Sequence, residues 1–169
     1  VTSSSVSPPA RRALLPGSYD PVTLGHVDVV ERCGRLFDEV VVAVLHNPGK
    51  RGLLEPEHRA ELLRASIAHV PNAVVVVRGA VLLVDVCREL DVPVIVKGVR
   101  GPQDVEYERA MALMNRHLTG VETFFVTGDP RFEHVSSSLV KQVSAYGGDV
   151  SGLVPDAVLA ALLQARDRP

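Results

Sequence analysis

Short, almost wholly apolar runs alternate with stretches of helical periodicity from residue 13 to the end of the chain. Val40–Leu45 reads VVVAVL, Ala73–Val77 reads AVVVV and Val94–Val96 reads VIV. Strands without a polar alternate face have no side to offer to water. They belong in a parallel sheet covered on both faces, with right-handed crossovers. The pattern predicts strands at Ala13–Pro16, Glu39–His46, Ala73–Arg78, Val94–Lys97 and Val121–Thr127. Between and after them it predicts helices at Thr23–Phe37, Pro56–Ala68, Leu82–Leu90, Asp104–Leu118, Ser137–Tyr146 and Pro155–Ala165. The expected fold is therefore α/β: a Rossmann-like, doubly wound five-stranded parallel sheet with helices on both faces.

The chain's 169 residues, 46% of them hydrophobic, suit one domain over residues 13–169. Residues 1–12, rich in Ser and Pro, read as a disordered leader without the apolar core of a secretory signal. A formal net charge of −2 argues against bulk binding to nucleic acid. No apolar run is long enough to span a membrane, and a cytoplasmic location is expected. Cys33 and Cys87 fall in apolar helical stretches and read as buried thiols. No Cys/His pattern points to zinc.

Ligands of such sheets bind beyond the carboxyl ends of the strands, near a topological switch point. Gly17–His26, His46–Arg51, Lys97–Arg100 and Gly128–Ser138 fall there. The first belongs to the string PGSYDPVTLGH, Pro16 to His26. A strand ends, the chain turns at Gly17, and Thr23 is placed to cap a helix whose first turn holds Gly25 and His26. Free N–H groups at the positive end of a helix suit phosphate. The later serines Ser136, Ser137 and Ser138 open a second helix in the same way.

The PGSYDPVTLGH string resembles the TxGH-type signature of the cytidylyltransferase-like nucleotidyltransferases. Lys97–Glu108 (KGVRGPQDVEYE), Met114–Leu118 (MNRHL) and Val135–Lys141 (VSSSLVK) are similar to the matching stretches of bacterial phosphopantetheine adenylyltransferases, in the same order. The resemblance implies transfer of AMP from ATP to 4′-phosphopantetheine, giving dephospho-coenzyme A and pyrophosphate. The attacking phosphate oxygen is ionised at pH 7, so the protein's task is positioning and charge stabilisation. No general base and no covalent intermediate are needed.

The same resemblance assigns roles. Ser18, His26, Lys50 and Arg100 are the expected catalytic set. ATP is expected to meet Ser18, Tyr19, His26, Gly98, Val99, Arg100 and Glu108. It is also expected to meet the Phe132, Glu133, His134, Val135, Ser136, Ser137 and Ser138 stretch. The acceptor is expected at Ser18, Lys50, Leu83 and Lys97. Tyr19 stands where Phe is more usual, and its hydroxyl has no evident purpose in the sequence. Lys97 replaces a frequent Arg, keeping the charge without the bidentate fork. Read alone, Lys50 is a solvated loop lysine, Leu83 is core and Glu108 is an exposed helix carboxylate.

Mg²⁺ is expected to arrive with ATP, held mainly by nucleotide phosphates and water rather than by a protein metal site. A homohexamer and feedback inhibition by coenzyme A are further implications of the resemblance. The alternative is another nucleotidyltransferase of this fold, specific for nicotinamide mononucleotide or using CTP. Such enzymes share the TxGH-like turn but lack the KGxR, EYE and NRHL series. Cys33, His46, His58, His69 and His117 are given no chemical role.

Overall fold

A computed structural model of the chain describes residues 10–46 and 52–166. The strands are β1 (Arg12–Gly17), β2 (Glu39–Leu45), β3 (Ala73–Arg78), β4 (Val94–Val99) and β5 (Glu122–Thr127). The helices are α1 (Leu24–Leu36), α2 (Pro56–Ser66), α3 (Leu83–Glu89), α4 (Pro102–Thr119), α5 (Ser137–Ala145) and α6 (Asp156–Arg166). The largest departures from the sequence expectation are of two residues: β4 runs two residues further, α4 starts two residues earlier and α2 ends two residues earlier. Both extensions tighten the Gly98–Gly101 turn into a direct strand-to-helix junction. A 3-10 helix over Pro130–Phe132 interrupts the expected loop.

The five strands form one parallel sheet in the order β3-β2-β1-β4-β5. Side chains alternate across it with the period of two that a strand imposes. Ala13, Leu15, Val40, Val42 and Val44 face a core shared with α1, α2, α5 and α6. Leu14, Val41, Ala43 and Ile95 face the other way, against Val86 and Cys87 of α3. Both cysteines are buried and free, and burial pushes their thiols up to about 11.

The chain moves outward from β1 to β2 and β3, then returns across β1 to lay down β4. The switch point is thus the β1/β4 seam. β1 pairs with β2 along all six residues, from Arg12 opposite Glu39 to Gly17 opposite Val44. With β4 it pairs only as Ala13 opposite Val94 and Leu14 opposite Ile95. Beyond that point the two strands part. Pro16, which has no N–H to give a ladder, lies in the parted stretch.

Candidate active site

Three cavities meet where β1 and β4 part. The middle one, about 310 Å³, is lined by Leu15, Pro16, Gly17 and Ser18 on one side and by Val96, Lys97 and Gly98 on the other. Toward α1 it opens into a cavity of about 640 Å³ walled by His26, Arg100, Phe132 and Ser136–Ser138. Toward α3 and α4 it opens into one of about 740 Å³ walled by Ser18, Leu83, Lys97 and Met111. Glu108 lines all three.

His26 sits at the join, in the first turn of α1. Thr23 caps the helix, and the His26 side chain takes the place that Glu or Gln has in an ordinary capping box. The Thr23 N–H donates to His26 Nδ1 (3.0 Å). With Nδ1 occupied as an acceptor, the neutral ring carries its proton on Nε2. Burial, aided by the Arg100 charge, lowers the imidazole to about 4. At neutral pH His26 is therefore an uncharged donor. The Tyr19 ring meets it edge-on, with centroids 5.0 Å apart.

The Tyr19 hydroxyl, unexplained in the sequence, has a partner in the turn. The Tyr19 backbone lies in the left-handed region (φ 47°), which turns the side chain inward. The hydroxyl left without purpose donates to the Leu15 carbonyl (3.0 Å), and burial raises its pKa. The phenol belongs to the core of the turn. Tyr19 also lines the middle cavity.

Lys97 and Glu108 form an ion pair (3.2 Å) across the middle cavity. This pairing was not legible in the sequence, where Glu108 is a nucleotide contact by resemblance and an exposed helix carboxylate when read alone. Arg100 forks onto Asp104 (2.9 and 3.1 Å) and donates to the Val135 carbonyl (2.9 Å). That guanidinium holds the Asp104 carboxyl below its usual range. Gly98 lets β4 approach α1 closely: a Cβ there would stand 2.8 Å from Val29 Cγ2. Val99 lines the cavity of His26 and Arg100.

The loop after β5 closes the nucleotide-sized cavity. The Asp28 carboxylate accepts from the Asp129 N–H (2.8 Å) and from Arg32 Nε (2.9 Å), which ties the loop to α1. Phe132, Glu133, Val135 and the three serines line the cavity. His134 is exposed and stands outside the lining. Ser136 caps α5, accepting from the Leu139 N–H (3.2 Å). Ser137 donates to the Pro21 carbonyl (2.8 Å). Lys50 lies outside the described residues.

Several residues given no role in the sequence come to the site. His46 borders the cavity of Leu83 and Lys97. Buried Asn115 and half-buried Thr123 border it too, and the buried Thr123 hydroxyl has no hydrogen-bond partner. Tyr107 stands between that cavity and the nucleotide-sized one. Tyr107, Met111 and Asn115 recur every four residues along α4, a spacing that puts them on one helix face. That spacing was the available signal. Buried Asp20 and Arg59 and the one-third-exposed Lys141 form a charged cluster under the Ser18 turn. Among the described residues no group of three or more His, Cys, Asp or Glu side chains is arranged to hold a metal.

The cytidylyltransferase-like family profile matches residues 14–143. The chain is 55% identical to a phosphopantetheine adenylyltransferase of Nocardioides sp. over 155 residues, covering 92% of this chain and 96% of the relative. It is 54% identical to one from Clavibacter michiganensis subsp. michiganensis, covering 90% and 95%. Its fold is similar to that of a putative nicotinate-nucleotide adenylyltransferase from Vibrio parahaemolyticus (TM-score 0.69, 17% identity, 93% and 96% covered). At that identity the likeness carries the fold alone. A parallel sheet parted at its switch point, a neutral histidine at a helix start, and this identity over almost the whole chain lead to one conclusion: the chain belongs to the phosphopantetheine adenylyltransferases, within the cytidylyltransferase-like nucleotidyltransferases.

Proposed function

We propose that the protein transfers AMP from ATP to 4′-phosphopantetheine, releasing pyrophosphate and forming dephospho-coenzyme A. The observation that carries this is the pair of cavities joined at Ser18, His26, Lys97, Gly98 and Glu108. The larger apolar-walled arm, past Leu83 and Met111, suits an extended acceptor. The arm under Ser136–Ser138 suits a triphosphate, because the N-terminal turns of α1 and α5, the positive ends of two helices, both wall it.

An oxygen of the acceptor phosphate attacks the α-phosphorus of ATP in line. The bond from that phosphorus to the β-phosphate bridging oxygen breaks, and its electron pair leaves with pyrophosphate. The nucleophile needs no deprotonation, so the protein supplies alignment and donors. His26 Nε2–H is the donor for the α-phosphate as its charge grows. Because it is neutral, it donates without having to lose or gain a proton. Lys97 grips the acceptor phosphate once that phosphate replaces Glu108 as its partner. Ser18 borders both the middle cavity and the acceptor arm, and its hydroxyl serves the transferred group from below. Arg100 and the serines receive the β- and γ-phosphates. Lys50 completes the acceptor's charge neutralisation in the family reading. Tyr19 contributes backbone rather than its ring.

Mg²⁺ neutralises part of the triphosphate's charge when bound. Asp104, Glu108 and Asp129 on the cavity wall each already pair with Arg100, Lys97 or Arg131, which favours an ion carried by phosphate oxygens and water. Coenzyme A, sharing the acceptor's arm, is the proposed feedback inhibitor. A cytoplasmic homohexamer completes the reading. An apolar surface on α4 and β5, with Met114, Leu118 and Phe124 exposed, supports self-association. No described helix is long and apolar enough to cross a membrane.

Pyrophosphate release from ATP, measured with phosphopantetheine, nicotinamide mononucleotide and nicotinate mononucleotide in turn, tests the acceptor. Release with phosphopantetheine alone is expected. Release with either mononucleotide but not with phosphopantetheine would overturn the assignment.

A further inference from the structure

One carboxylate lies beneath the site without touching any of its cavities. Asp20 is 4% exposed, two residues after Ser18. Its oxygens accept from the Leu53 N–H (2.9 Å), the Leu54 N–H (3.0 Å) and Lys141 Nζ (2.9 Å). Arg59 Nε lies 3.4 Å from the same carboxylate. Arg59, also 4% exposed, donates to the Leu54 carbonyl (2.6 Å) and reaches the Ser18 carbonyl (3.4 Å). Its guanidinium runs over Gly52, where any Cβ would collide with it.

A charge buried this deeply is costly unless it is fully paired, and removing one partner strands the other. Such a cluster is seldom kept for stability alone, since apolar packing of the same volume does as well. Its connections suggest what it is kept for. Asp20 belongs to the turn that carries Ser18 and leads into His26. Lys141 belongs to α5, one helical turn beyond Ser137. The Ser137 hydroxyl, bonded to the Pro21 carbonyl, makes a second tie between the same two segments. The two helix starts that face the nucleotide cavity are thus joined from behind by an ion pair and a hydrogen bond.

We propose that Asp20 and Lys141 are positioning residues for nucleotidyl transfer: their ion pair sets the Gly17–His26 turn and the Ser136–Ser138 helix start at the separation that the reacting phosphates require. This rests on the nucleotidyl-transfer reading above. In-line attack tolerates little misplacement, and an error of about 1 Å can cost on the order of 100-fold in rate. The pair therefore acts on turnover more than on substrate affinity.

The test compares Lys141→Met, Lys141→Arg, Asp20→Asn and the Asp20→Asn/Lys141→Met double variant in the full chain. Pyrophosphate release gives kcat and both KM values, and thermal melts give Tm. Lys141→Met is expected to lower kcat roughly 10- to 100-fold with KM for ATP changed less than about threefold. Lys141→Arg, which keeps the charge, should recover most of the loss. The double variant should be no worse than the poorer single variant, because the two residues act as one unit. A lowered Tm with unchanged kcat, equal losses in the Met and Arg variants, or fully additive losses would each overturn the proposal. If Lys141→Met does not fold, Asp20→Asn against Lys141→Arg carries the same comparison. A wild-type chain that releases no pyrophosphate with phosphopantetheine sinks the acceptor assignment instead, and the variants are then compared on the acceptor that does support release.

Discussion

The Thr23 N–H occupies His26 Nδ1, which leaves the ring a single donor, Nε2, for a ligand. Replacing His26 with Ala should cost about 10²–10³ in kcat, the usual loss of one charge-stabilising donor. Circular dichroism should show an intact fold. Near-normal turnover would remove His26 from the mechanism. Its pKa, depressed to about 4, sets the pH behaviour. An unfolded imidazole titrates near 6.5. Between those values the unfolded chain holds more protons than the folded one, so stability falls as pH drops from about 6.5 toward 4. Denaturant melts at pH 7 and pH 5 should show this loss, and it should shrink in His26→Gln. For the same reason kcat/KM should carry no inflection from His26 between about pH 6 and 8. Tyr19 makes the complementary point. Its hydroxyl answers a backbone carbonyl four residues earlier, Leu15, so its purpose lies in the core of the turn. Only a positive φ, invisible in the letters GSYD, turns it there.

Elements meet at the site through a few close approaches. Gly98 lets β4 lie against α1, with Val29 where a side chain would go. Gly98→Ala should therefore destabilise the domain by about 1–3 kcal/mol, as overpacking does, and should lower turnover by moving Lys97 and Arg100. Adding Val29→Ala makes room for the new methyl. Urea melts should show the double variant more stable than Gly98→Ala, and no such recovery would rule out the clash. α1 and α5 depend on hydroxyl caps at Thr23 and Ser136. Those caps were readable from residue type and position, since Ser and Thr satisfy the first free N–H groups of a helix. The ties from Asp28 to Asp129 and from Ser137 to Pro21 join residues more than a hundred positions apart. No periodicity links such positions.

For the whole molecule, the proposed hexamer can be tested at the exposed apolar side chains of α4 and the edge strand β5. Light scattering should give a mass near six times the 18.2 kDa chain. Phe124→Lys should shift it to smaller species, and a monomeric wild type would refute the hexamer. The parallel sheet, its helices and three of the ligand-facing segments (Gly17–His26, Lys97–Arg100 and Gly128–Ser138) were legible in the chain, while all of His46–Arg51 but His46 lies outside the described residues. Short Val-rich runs without alternation, bounded by Gly and Pro, read as strands of a covered parallel sheet, and Ser and Thr are the residues that cap helix starts. Ser18, His26, Lys97 and Arg100 were legible through motif resemblance, because their spacing is local. The sequence by itself thus determined the fold class, the ends of the strands that would carry chemistry, and the family. Tertiary structure alone decided that β1 and β4 part after two paired residues, that Glu108 holds Lys97, and that Asp20 is a buried partner of Lys141 rather than an exposed turn residue. Each of these depends on which distant segments the sheet brings together, and on the cost of burying charge there. Both are properties of packing, and a one-dimensional pattern does not contain them.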